Sequence, residues 1–437
     1  MSKVAVIGAG ISGVAAAFYL QKYGAEVDLY ESGDRIGGRI GSECHDGRWV
    51  DFGGKNIGHK YRRFREFVAE IGGLDFEFFG FNTSQVVNGK VVALSKEKDR
   101  LFNIFRVLSL AGFGGTMRLF PLIQAVQKDN QQGFLNTPYF NAIAEQFDSK
   151  PLSSFFPKGC ADHLIRPVTV RMNGAEPEEC YPGNFGSNLA LVLDSYEQLK
   201  QGMHGMLERF ESCLQSVRFL TGHHVQTVEQ SKGFTRLHYV TGEKKSSAEY
   251  DGIIVALPAV QAVSLFNDTL PELAALLGQV RYYPVAVAIV RYREHVFPNT
   301  QRAMVFDGSA PLSNAGAYGI NDLNFVRYTF SGIEARKLIL TETNSENVIS
   351  IAEKIIERFF NVKGNKRENY VYKYLDPGLC AYSQYHHKLL EKLDHILGSF
   401  RNIGLTGDYW RGASIEACFR SAEEAVGKLI YENAPQA

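Results

Sequence analysis

Three glycines, Gly8, Gly10 and Gly13, stand at G-x-G-x-x-G spacing, and Glu31 follows the last of them by 18 positions. Residues of these types in that order can hold a dinucleotide. The first glycine permits a tight turn, the second lets a pyrophosphate approach the backbone, and the third lets a helix lie close on a sheet. Ile11 and Ser12 sit where that helix begins, and its unpaired N–H groups and positive dipole end attract phosphate. A carboxylate in the place of Glu31 hydrogen-bonds a ribose hydroxyl and disfavours a 2′-phosphate. The competing reading is a glycine-rich turn that only eases packing.

The flanking elements decide between the two. Lys3 to Ile7 is a short β-branched run suited to a buried parallel strand, and Val14 to Tyr23 reads as a helix with alanines on its packing side. Glu26 to Tyr30 (EVDLY) reads as a second strand ending at the acid. This is the βαβ setting that the glycine motif requires, so a dinucleotide is the stronger reading.

Directly after the acid comes Asp34-Arg35-Ile36-Gly37-Gly38-Arg39. With these residues the chain resembles the flavin amine oxidase superfamily, which includes protoporphyrinogen oxidases and carotenoid desaturases. Its fingerprint adds R-x-G-G-R after the acid, and Arg35, Gly37, Gly38 and Arg39 match it in full. The resemblance implies FAD, with Ser32, Arg35, Gly38 and Arg39 around it; a guanidinium can pair with a phosphate through two hydrogen bonds. Gly53 and Gly54, in VDFGG, are similar to the family's next flavin-contacting turn.

The far end answers the near one. Asn402 to Val426 reads NIGLTGDYWRGASIEACFRSAEEAV and resembles the family's closing segment, a G-D turn and then a helix whose start faces the flavin. The resemblance places Gly407 and Asp408 at the ribityl or pyrophosphate region, and Ser414, Ile415 and Ala417 at the helix start. It also makes Val225 a backbone contact to adenine. Cys380 precedes Gly407 at a spacing similar to that of a cysteine carrying covalent flavin in monoamine oxidases. Burial as an inert thiol is the alternative, and non-covalent FAD is the expectation.

The fold implied is α/β: a Rossmann-like FAD-binding domain, doubly wound and of glutathione-reductase type, with an interleaved α+β substrate domain. The nucleotide domain is expected from residues 1–80, 210–270 and 396–437, and the substrate domain from 81–209 and 271–395.

Amine oxidases of the superfamily keep a lysine on a substrate-domain strand and often a ring just inside the closing motif. Here no lysine occurs between Lys245 and Lys337, and the ring position falls on Ala413 or Ser414. The segments RYYPVAVAIVRY, IRPVTVRMNGAEPEE and YSQYHHKLLEKL instead resemble protoporphyrinogen oxidases and desaturases. That branch implies hydride removal from a large apolar, aromatic or heterocyclic molecule, with dioxygen or another acceptor taking the electrons. Tyr409 and Trp410 are the candidate aromatic contacts at the flavin, with a core role the alternative. Two rival functions stand beside this one: oxidation of a C–N bond, and a flavin-free lipid or prenyl carrier of the GDP-dissociation-inhibitor type. A flavin-dependent isomerase would keep the same cofactor grip.

Charge and cysteine usage narrow the field further. Lys plus Arg and Asp plus Glu both number 47, so no global basic field exists to hold nucleic acid. The six cysteines are scattered through a large chain, and the start reads straight into a strand, so a reducing cytoplasm is the expectation. His223-His224 and His386-His387, read as strand residues, point to opposite faces, and no metal centre is expected. Residues 99–128 carry Leu101, Ile104, Phe105 and Leu108 at helical spacing with Arg100 and Arg106 nearby. Such a helix either lies at a membrane interface or packs inward.

Overall fold

Five short strands form a parallel sheet in the order Val217–Leu220, Glu26–Tyr30, Lys3–Ile7, Gly252–Val255 and Ile403–Leu405. The computed structural model describes residues 2–78, 82–96, 99–231, 233–360, 362 and 366–433. Both faces of this sheet are covered, which is why its two central strands are apolar without alternation: Ala5, Val6, Ile253, Ile254 and Val255 have no solvent exposure. On one face lie the helices Ile11–Lys22 and Ile415–Asn433, from opposite ends of the chain, around a core that includes Phe64, Phe67, Phe210 and Phe419. The other face carries an antiparallel three-stranded layer, His223–Ser231, Phe234–Thr241 and Lys244–Tyr250, with the helices Ala259–Phe266 and His386–Leu397 beside it.

A second, seven-stranded sheet has the order Arg367–Ala381, Arg281–Tyr292, Phe325–Phe330, Asn314–Ala317, Ala303–Val305, Thr83–Val87 and Lys90–Ser95. The helices Ile333–Thr341 and Ser345–Ile356 bury Ala335, Val348, Ile349 and Ala352 against it. Its other side meets Val50 and Phe52, so the nucleotide-side loop rests on Val285, Val287 and Ile289. A helical lobe, containing Arg100–Lys128, Pro138–Phe147 and Phe185–Val192, completes the α+β part.

Packing across the expected domain limits is informative. Tyr196–Leu199 pairs with Ile57–Gly58 and Phe76–Phe78, and the helix Gly202–Cys213 sends Met203, Met206 and Phe210 into the nucleotide-side core. Likewise Leu389, Leu390 and Leu393 pack beneath the parallel sheet. The limit expected at residues 80 and 81 lies outside the described residues. His386 and His387 open a helix instead of lying on a strand, and both are buried.

Candidate functional site

The glycine turn is built as the spacing demands. A Cβ on Gly13 would lie 1.9 Å from the Gly8 carbonyl oxygen, so only glycine lets the helix approach the strand there. Gly8 adopts φ +95°. Gly10 caps the helix Ile11–Lys22 without any side-chain hydrogen bond, and a Cβ added there would meet nothing within 4 Å. The first-turn N–H groups of Ile11, Ser12 and Gly13 therefore have no side-chain cap competing for them, as an anion site requires. Glu31 is aimed back at this turn. Its carboxylate accepts from the Ala9 N–H at 3.1 Å and the Gly33 N–H at 2.8 Å.

A cavity of about 280 Å³ opens beside the turn, lined by Gly8, Glu31, Ser32, His224, Val225 and Leu257 among others. Val225 sits where the strand His223–Ser231 changes register, between Val225 and Thr227. Bulges of this kind re-aim backbone groups next to sites. Four expected residues from three separated segments thus meet around one void.

The R-x-G-G-R loop folds against the same turn. Gly10 and Gly37 form an isolated bridge, and Gly37 N–H donates to Ala9 O at 2.7 Å. A Cβ on Gly38 would stand 3.0 Å from the Gly10 Cα. Arg35 is exposed, and its guanidinium donates to the carbonyls of Ile36, Gly38 and Ile40 and so braces the loop. Arg39 ties the two ends of the chain together, through Nη1 to Asp408 Oδ2 at 2.7 Å and to the Gly378 carbonyl at 2.8 Å. A third of its side chain, 33%, stays exposed. Asp408 also accepts from the Tyr282 hydroxyl at 2.7 Å. Gly53 packs on Arg39, where a Cβ would meet its carbonyl oxygen at 1.9 Å, and Arg327 holds the turn by donating to the carbonyls of Asp51 and Gly53. Gly54 packs near Ile40 and Ile415, so the two turns that the resemblance sets at the flavin lie together.

The closing helix Ile415–Asn433 starts as expected, with the Ser414 hydroxyl accepting from the Ala417 N–H at 3.1 Å. Gly412, Ala413 and Ser414 border a second cavity of about 300 Å³. Its apolar lining includes Tyr61, Val126, Phe134, Met172, Leu191 and Tyr382, and its polar side includes a buried amide pair, Asn188 Nδ2 donating to Asn173 Oδ1 at 2.7 Å. Tyr382 links cavity and cofactor turn by donating to the Asp408 carbonyl at 3.1 Å. Glu416, buried there, accepts from the N–H groups of Arg63 and Phe64, and burial raises its carboxyl pKa.

Two expectations are placed differently. Tyr409 is fully buried in the core beneath the parallel sheet, with Trp410 packed against that core. Neither borders the two cavities, because Tyr409 and Trp410 turn inward before Arg411 and Gly412 reach the cavity wall. Cys380 is fully buried beside Tyr282, and burial holds its thiol well above the usual range. Sequence reasoning missed Tyr61, Tyr382 and Tyr282. It also missed Lys55, which is buried, donates to Gln198 Oε1 at 2.6 Å and to the Tyr318 carbonyl, and is pulled down to about 7 by burial. Lys55 follows Gly54 in a loop and lines neither of the two cavities, so it is not the strand lysine of the amine oxidases.

The turn, the uncapped helix start, the acid and the closing helix together fit a dinucleotide carrying a flavin. A family model for flavin containing amine oxidoreductases matches residues 11–430. The chain belongs to that family. As a flavin containing amine oxidoreductase it is an FAD-dependent oxidoreductase acting on a small molecule with an electron acceptor. It is 21% identical over 474 residues to coproporphyrinogen III oxidase of Bacillus subtilis (strain 168), a match covering 98% of this chain and 97% of that one. Its fold is similar to that of a protein assigned as a protoporphyrinogen oxidase from Exiguobacterium sp. 255-15, with TM-score 0.74, 18% identity and 99% of each chain covered. Cyclohexylamine oxidase from Brevibacterium oxydans IH-35A is nearly as close, with TM-score 0.73, 18% identity and the same coverage. The Rossmann-like FAD fold with its second sheet is therefore that of the family. Among the described residues, no helix is long and apolar enough to cross a membrane.

Proposed function

We propose that this oxidoreductase removes hydride from carbon in a large, mostly apolar aromatic or heterocyclic substrate, with porphyrinogens the first class to test. The observation that carries the reading is the match along nearly the whole chain to a coproporphyrinogen III oxidase. The cavity beside the closing turn supports it. Its wall at Ala413 and Ser414 carries small side chains where an amine-oxidase ring would stand, leaving room for a broad substrate face.

In this reading Gly8, Gly10, Ile11, Ser12 and Gly13 hold the pyrophosphate, while Glu31 and Ser32 hold the ribose and Val225 the adenine. Arg39 and Asp408 align the ribityl region, with Arg35, Gly38, Gly53, Gly54 and Gly407 shaping the loops. Ser414, Ile415 and Ala417 set the helix start at the ring. Bound there, non-covalent FAD supplies the hydride acceptor. The chain's own share is to orient the substrate between Tyr61, Tyr382 and Met172, to offer the Asn173–Asn188 pair to its polar edge, and to keep water out. Dioxygen or another acceptor takes the electrons onward. All six cysteines are unpaired, in keeping with a reducing cytoplasm.

Steady-state oxygen consumption tests the substrate. The purified holoenzyme is given coproporphyrinogen III, protoporphyrinogen IX, and a panel of primary and secondary amines. Turnover with a porphyrinogen and none with amines supports the reading; turnover with amines alone overturns it.

A further inference from the structure

The helix Arg100–Lys128 is kinked at Gly112, where φ is +63°. Beyond the kink its inner side buries Leu119, Leu122 and Val126 in the helical lobe, and Ala111 joins them from before it. Its outer side is apolar as well and touches no core. Leu101, Ile104, Phe105 and Leu108, at steps of three and four, are 69%, 56%, 68% and 41% exposed. After the kink Phe113, Met117 and Phe120 continue the stripe. Eight of the fifteen large apolar side chains exposed among the described residues lie on this one helix, which is a contiguous face and not scatter.

We infer that this face seats on an anionic lipid bilayer. Charge supports that occupant. Residues 100–128 contain Arg100, Arg106, Arg118 and Lys128 and no acid at all. The cation of Arg106 lies over the Phe102 ring and that of Arg118 over the Phe155 ring, while Lys96 stacks on Phe102 from the preceding turn. Cations around an apolar stripe are the pattern of an interfacial helix, which lies in the headgroup plane. Each adds attraction to an anionic leaflet. A second copy of this chain would set two basic helices, neither carrying an acid along residues 100–128, against each other. The helix also leads to the cavity, since Val126 near its C-terminal end lines it together with Asn130 and Gln131. Seated on a bilayer, the protein would hold the cavity close to the apolar phase. The inference stands on the surface alone and does not depend on the substrate reading.

The test is vesicle flotation of the full-length holoprotein with phosphatidylcholine alone and with added phosphatidylglycerol. The expected result is flotation that rises with phosphatidylglycerol and falls with salt. The variant Phe105→Ser/Phe113→Ser/Phe120→Ser should lose binding by roughly tenfold or more, keeping its flavin content and circular dichroism spectrum. Equal flotation of wild type and variant, or no flotation of wild type on either vesicle, overturns the inference. So does a dimer in sedimentation velocity that the same triple variant dissolves, which would make a second copy the occupant.

Discussion

Gly10→Ala separates the cofactor from the fold. Gly10 has φ −67° and ψ 178°, a conformation that alanine adopts freely, and a Cβ there meets nothing within 4 Å. Alanine is a somewhat poorer helix cap than glycine, and it restricts the unfolded chain more. Those terms oppose each other, so the FAD-free protein should keep its stability to within about 1 kcal/mol. The added methyl instead occupies the space over the helix start that a pyrophosphate needs. Donor-to-oxygen distances there must be about 2.9 Å, whereas carbon contacts need about 3.5 Å. Displacing the phosphates loses two charge-assisted bonds of about 1.5–3 kcal/mol each, a weakening of FAD binding by roughly 10²- to 10⁴-fold. Titration of apoprotein by flavin fluorescence quenching measures the affinity, and thermal unfolding measures the fold. Gly13→Ala is the control for steric failure, because its Cβ would lie 1.9 Å from the Gly8 oxygen and the apoprotein itself should unfold. A Gly10→Ala protein with wild-type FAD affinity would refute the placement of the pyrophosphate.

Other outcomes follow from the same geometry. Glu31→Ala removes the acceptor for Ala9 and Gly33 and the expected ribose partner, and should weaken FAD by roughly 10- to 100-fold in the same titration; unchanged affinity would reject the ribose assignment. Acid precipitation should leave flavin in the supernatant for both wild type and Cys380→Ser, since Cys380 is fully buried with its thiol held protonated. Flavin found in the wild-type pellet alone would show a thioether. His386 is pulled from its ordinary 6.5 to about 4 by burial, and its Nε2 bonds the Tyr409 carbonyl at 2.8 Å. The unfolded chain therefore binds the proton first, so this group's contribution of at most about 3 kcal/mol is lost as pH falls from 6.5 towards 4. Asp148, pushed up to about 6 by burial, acts in the opposite sense over much of that window. The difference between wild type and His386→Gln in urea unfolding isolates the histidine, and parallel pH profiles would contradict it.

What the sequence made legible was the part governed by backbone geometry. Glycine spacing reports where two main chains must touch, and the contact of Gly13 with Gly8 is where it placed it; those of Gly38 with Gly10 and Gly53 with Arg39 join separate segments that no local spacing relates. Glu31 and Ser414 were readable because a strand end and a helix start leave few directions for a side chain. Side-chain direction inside a loop was not readable. Tyr409 follows Asp408 directly, yet a short turn sends its ring into the core. Tyr61 and Tyr382 reach the cavity from segments far apart in the chain, so no local pattern joins them. Lys55 is hidden in the same way, because its burial depends on Gln198 and Tyr318 from distant elements. The amphipathic stripe from Leu101 to Leu108 was visible, but periodicity alone does not say which side of a helix faces the core. The lobe buries Ala111, Leu119, Leu122 and Val126 and leaves the aromatic side out.

The most direct test of the account is anaerobic mixing of the FAD-loaded enzyme with coproporphyrinogen III, followed in the flavin's visible absorption band. The account predicts bleaching by the porphyrinogen that reverses when dioxygen or another electron acceptor is admitted, with no bleaching by amines. A flavin that stays oxidised with porphyrinogens and bleaches with a primary amine would contradict it, and would assign this cavity to C–N oxidation.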